Sequence, residues 1–176
     1  ARGLRTAAPA ETTAIAPVER SGPLPLSFAQ QRLWFIDRME PGSPVYNMPA
    51  AVRLTGQLNI AALEATLTEI VRRHESLRTS FANVGEEPRQ VIHPAERWSL
   101  SVVDLSALAE SEREVERLAD EEARRPFDLR VSPLLRTTLV KVAEAEHVLL
   151  WTMHHVISDG WSMGVLIREV AVLYKA

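Results

Sequence analysis

Apolar and polar positions follow two different periods along this chain, and the switches between them mark out its elements. Phe28, Leu33, Trp34 and Ile36 have helical spacing. Ser27 is suited to cap that helix, and "EPGSP" (40–44) ends it. In "MPAAVRLTGQL" (48–58) the period becomes two: Val52 and Leu54 fall on one side, Arg53 and Thr55 on the other, as in a strand. Asn59 offers a cap for a second helix, whose positions Leu63, Leu67, Ile70, Val71 and His74 return to helical spacing. "LRTSFANVG" and "EEPRQVIH" predict a hairpin turning at Gly85. Residues 106–125 predict a helix that is almost all charge, a solvated face with a narrow apolar edge at Val115, Leu118 and Ala119. "LLRTTLVKVAEAEHVLLWTMHH" predicts two strands around "AEAE". A loop over 154–161 then leads to an amphipathic helix in "SMGVLIREVAVLYKA". Strands alternating with helices predict an α/β sandwich. Residues 1–25 are rich in Ala, Pro and Thr without sustained apolar period, and predict a linker. No methionine opens it, so the chain reads as a piece of a longer polypeptide.

Composition changes this picture little. At 176 residues the chain can bury one proper core. A net charge of −3 gives no electrostatic reason to bind nucleic acid or anionic lipid. With no cysteine there is no disulfide, thiolate nucleophile or cysteine metal site, and a reducing, cytoplasmic setting is expected. No apolar run approaches the roughly 20 residues of a membrane span.

Candidate chemistry concentrates in "MHHVISDGWS" (153–162). His154 and His155 lie at the end of an apolar strand, where neighbouring side chains point to opposite faces. One imidazole is therefore expected to point inward and the other out above the sheet edge. Asp159 can take hydrogen bonds from the loop, bind an arginine or cap the following helix. Gly160 permits a close approach that a side chain would forbid. Histidine titrates near neutrality, so it can take a proton from a nucleophile and return it to a leaving group. A metal on His154, His155 and Asp159 would need further ligands, and no other cluster supplies them.

"HHVISDG" resembles the HHxxxDG motif of condensation domains from nonribosomal peptide synthetases. "SFAQQRLWFI" (27–36) and "RHESLRTSF" (73–81) resemble the family's first two motifs, SxAQxRLWxL and RHExLRTxF, in the same order. The resemblance implies a chloramphenicol-acetyltransferase-like α/β two-layer sandwich, with residues 26–176 as the N-terminal lobe of a two-lobed, V-shaped domain. It implies that residues 1–25 are an inter-domain linker following a carrier domain. It also implies an amide-forming acyltransferase: an aminoacyl thioester on one peptidyl carrier protein attacks the donor acyl or peptidyl thioester on another. Phosphopantetheine arms come with the carriers, and the domain needs no cofactor or metal of its own. By the same resemblance His155 is the catalytic base or amine-positioning group. Asp159 would shape the loop through an ion pair, with Arg78 as one candidate partner. Gly160 would give backbone access, and His154 would pack inward. Arg32 would pin the first helix, while Trp34 and Phe35 would be core aromatics.

The histidines exclude the DxxxxD pattern of cyclisation domains, the glycine placement favours condensation over epimerisation, and "RHESLRTSF" sets the chain apart from plant-type HxxxD acyltransferases. The family's later motifs and second lobe are missing from this chain, which stops at "VLYKA", so the fragment alone is expected to be inactive. Two alternatives stand beside this reading: an acyltransferase acting on a free amine or alcohol, and a non-catalytic module that recruits a carrier or tailoring enzyme.

Overall fold

A computed structural model describes residues 22–176; of the linker expected over 1–25, residues 1–21 lie outside the described residues. Leu24–Pro25, expected at the end of that linker, instead forms a short strand, β1. Helix α1 (Phe28–Met39) follows, capped as expected by Ser27, whose hydroxyl accepts from the Gln30 N–H while the Gln30 side chain binds the Ser27 N–H in return. Strand β2 (Asn47–Thr55) keeps the predicted alternation, with Val52 and Leu54 half-buried between exposed neighbours. Asn59 caps helix α2 (Ile60–Arg73), which buries Leu63, Leu67, Ile70 and Val71. A 3-10 turn (Glu75–Arg78) leads into the hairpin of β3 (Thr79–Val84) and β4 (Glu87–Ile92), with Gly85 at φ +65° where the turn requires it. Strand β5 (Ser101–Asp104) precedes helix α3 (Ser111–Arg124). β6 (Leu135–Ala143) and β7 (Glu146–His154) form the second hairpin, and α4 (Gly160–Leu173) runs on from the histidine loop.

Two boundaries differ from expectation. α3 begins at Ser111, not near 106, because the Asp104 carboxylate captures both the N–H and the hydroxyl of Ser106 and holds the chain in a turn. Strand β5 has no counterpart among the predicted elements. It lies parallel to β6, a pairing between distant residues that the α3 crossover makes possible.

β1, β4 and β3 form one small antiparallel sheet, and β2-β7-β6-β5 the main one. β7 is interior to the main sheet and buried along nearly its whole length, which is why "HVLLWTM" reads as a continuous apolar run and not an alternating one. On one face Leu139, Leu149, Trp151 and Met153 join Leu67, Ile70 and Leu166 in the principal core. On the other, Val140, Val148 and Leu150 meet Val115 of α3. His74 closes the end of α2 against α4 through a 2.7 Å contact of its Nε2 with Glu169.

Candidate active site

The end of β7 is clamped from both sides. The His154 N–H donates to the Leu134 carbonyl at 3.1 Å and the His155 N–H to the Tyr46 carbonyl at 2.9 Å. The two imidazoles therefore point in opposite directions, as the strand period requires. His154 is buried, only 4% exposed, with its ring tilted on Tyr46 and edge-on to Phe127. Its Nδ1 accepts the Val156 N–H at 3.1 Å, so this ring is neutral. Burial, with a smaller contribution from His155, pushes its pKa down to about 4.

His155 faces outward. Its Nδ1 lies 2.7 Å from the Ser158 carbonyl oxygen, which can only accept. Nδ1 must therefore carry a proton, and in the neutral ring the free lone pair is on Nε2. His155 lines an open cavity of about 520 Å³ together with Arg32, Tyr46, Ser158 and Asp159. An imidazole fixed in this tautomer above an open space can accept a proton from whatever enters.

Asp159 is the N-cap of α4. Its carboxylate accepts from the Ser162 N–H at 2.8 Å and the Ser162 hydroxyl at 2.6 Å, bonds that hold it below the usual carboxylate range. The expected ion pair with Arg78 is not formed. The Arg78 guanidinium donates to the His93 carbonyl and lies 3.7 Å from Glu75, locking the turn between α2 and the hairpin. Gly160 opens α4, and a Cβ built there meets nothing within 4 Å, so no described residue requires glycine. Arg32 does not pin α1: it is exposed and makes no hydrogen bond or ion pair among the described residues. Trp34 is half-buried against the core with Arg38 over its ring, and lines a separate cavity of about 650 Å³ with Phe127 and Arg130. Phe35 is no core residue, being 59% exposed.

Three contributors are not among the residues the sequence singles out. Tyr46 and Ser158 act through their carbonyls, which no residue type announces. Ser162 did carry a signal: three residues after Asp159, it completes an N-terminal capping pair. Among the described residues no group of three His, Asp or Glu is arranged to hold a metal, and no helix is long and apolar enough to cross a membrane.

The fold and this geometry define an α/β unit that presents one fixed, outward imidazole at the end of an interior strand, beside an open cavity. Residues 20–176 match the profile of the condensation domain family, and the chain belongs to it. It is 53% identical over 164 residues to one of the subunits of linear gramicidin synthase from Brevibacillus parabrevis, covering 92% of this chain and 2% of that protein. It is 45% identical over 157 residues to phosphinothricin tripeptide synthetase of Streptomyces viridochromogenes, covering 88% of this chain and 14% of that one. Among solved structures, the starter condensation domain of rhizomide synthetase superposes with a TM-score of 0.82 at 30% identity, over 88% of this chain and 37% of that one. The first condensation domain of the calcium-dependent antibiotic synthetase, solved with a substrate analogue, gives 0.79 at 25% identity, over 86% and 37%. The chain thus spans a small part of its curated relatives and little more than a third of the solved domains.

Proposed function

We propose that this lobe works in a condensation domain that moves a donor acyl or peptidyl group from the thioester of one carrier protein to the α-amine of an aminoacyl thioester on another. The observation that carries this reading is the state of His155, with Nδ1–H tied to the Ser158 carbonyl and Nε2 free at an open cavity. The amine lone pair attacks the thioester carbon, and the carbonyl electrons move to oxygen. Nε2 takes a proton from the new ammonium. Collapse of the intermediate breaks the C–S bond, and the departing thiolate receives that proton. One N–H and one C–S bond are exchanged for one C–N and one S–H bond. A free α-amine has a pKa of about 7.7–8.0, so part of it is already nucleophilic at neutral pH. The histidine therefore contributes mainly at the charged intermediate.

His154 keeps the strand end packed and Asp159 fixes the loop through the α4 cap; neither touches the reacting atoms. The phosphopantetheine arms belong to the donor and acceptor carriers. Because Leu24–Pro25 is already part of a sheet, a tether to a preceding carrier would end by residue 23. The test joins the chain to its natural downstream sequence and supplies donor-loaded and acceptor-loaded carriers. Donor mass should appear on the acceptor carrier and be lost with His155→Ala. Transfer to a soluble amine but never to a carrier would favour the free-acceptor acyltransferase. No transfer with any substrate pair would favour a recruiting module.

A further inference from the structure

Arg32 is the group at this site that the reaction above leaves without work. Most arginines among the described residues are held by carboxylates, as Arg53 is by Glu112 and Glu146 and Arg136 by Glu122. Among the described residues Arg32 has no such partner, and no acidic residue stands three or four positions away from it on α1. What it does share is the cavity of His155. Phe28 and Phe35, one helical turn to either side on the same face of α1, are exposed apolar side chains. When a substrate or the rest of the domain covers this face, they will exclude water around the guanidinium and strengthen its field. A buried, unpaired cation is costly and calls for an anion. Asp159 also lines the cavity, but its carboxylate already accepts both donors of Ser162.

We propose that Arg32 is a catalytic residue whose N–H groups stabilise the oxyanion formed when the amine attacks the donor thioester. This rests on the condensation reading and adds the charge partner that reading lacks. His155 handles the proton, while Arg32 handles the negative oxygen that appears in the same step. The charge is absent from the ground-state thioester, so the interaction acts on the transition state and not on binding.

The experiment uses the intact domain with loaded carriers and compares Arg32→Gln and Arg32→Lys with the unaltered protein. Arg32→Gln should lower kcat about 10²–10³-fold with KM little changed. Arg32→Lys should recover at least about tenfold of that loss, and added guanidinium ion should partly rescue Arg32→Gln. The melting midpoint should not move, since among the described residues the side chain makes no hydrogen bond or ion pair that its loss would break. A loss confined to KM, or a fall in the midpoint, would assign Arg32 to carrier docking or to structure and overturn the proposal. So would a loss equal to that of Asp159→Asn and not additive with it, which would make the two residues an ion pair. Unaltered protein that transfers normally beside an equally fast Arg32→Gln overturns the arginine's role alone. Unaltered protein that transfers nothing overturns the reaction and this inference together.

Discussion

Two regions of the molecule carry the same chemical ingredients and use them in opposite ways. At the base of the β3–β4 hairpin, His93 Nε2 lies 2.8 Å from the Ser80 hydroxyl, and Arg78 donates to the His93 carbonyl. At the end of β7, His155 Nδ1 lies 2.7 Å from the Ser158 carbonyl, with Arg32 on the same cavity. By residue type alone both are a histidine, a serine and an arginine. In the hairpin the serine is almost fully buried and its hydroxyl occupies the nitrogen a base would need. In the loop the serine engages the other nitrogen, through its backbone, and Nε2 is left free. What separates a site from a structural knot is which ring nitrogen is taken and whether the free one meets open space.

Removing each imidazole in the intact domain tests this contrast most severely. His155→Ala should cut acyl transfer about 10²–10⁴-fold, the range for a lost acid–base group, with the thermal midpoint unchanged. His93→Gln should leave the rate per folded molecule intact and lower the midpoint instead. Equal losses of rate would show that both regions serve the reaction.

Next in size is the packing beneath the hairpin. Phe81 is fully buried, and its N–H donates to the Leu129 carbonyl at 2.8 Å. Phe81→Ala should cost about 3–5 kcal/mol in denaturant unfolding. His155→Ala, at an exposed position, should stay within about 0.5 kcal/mol.

Much of this contrast is legible in the amino-acid sequence. The opposite facing of His154 and His155 follows from the strand period alone. The Ser27 and Asn59 caps, the Gly85 turn and the alternation of β2 are likewise local events, set by residues within a few positions. What is not legible depends on partners far along the chain. β5 is a strand of 4 residues that exists because β6 lies beside it, with Ser101 paired to Thr138 across the whole of α3. The binding of Arg78 by the His93 carbonyl, the exposure of Phe35 and the lack of a partner for Arg32 among the described residues are of the same kind. So is the role of Tyr46, whose backbone oxygen has no signature in its side chain.

His154 gives a test that works on this chain alone. Its folded pKa is pushed down to about 4 by burial, while an unfolded histidine titrates at about 6.5. Above about 6.5 the ring is neutral in both states and costs nothing. As pH falls from about 6.5 to about 4, the unfolded state binds a proton that the folded state refuses, and stability falls with it. The difference of roughly 2.5 pKa units corresponds to about 3 kcal/mol, lost progressively across that window. Urea midpoints measured from pH 7 to pH 4 should decline more steeply than those of His154→Gln. Parallel curves would mean that His154 is charged or open to water in the fold, and the inward half of the comparison would fail.

The smallest effect decides what holds the loop. If Asp159 acts as the cap of α4, Asp159→Asn keeps an acceptor for the Ser162 N–H and should move the thermal midpoint by no more than about 1 °C. Asp159→Ala removes the cap and should lower it by roughly 2–4 °C. If the carboxylate served mainly as one half of an ion pair, the two substitutions would cost the same, since both remove the charge. The unequal result is expected here because Ser162 supplies both bonds from within the loop, through its N–H and its hydroxyl. Asp159 then needs no arginine to fix the backbone that carries Ser158, and through the Ser158 carbonyl it keeps the proton of His155 on Nδ1.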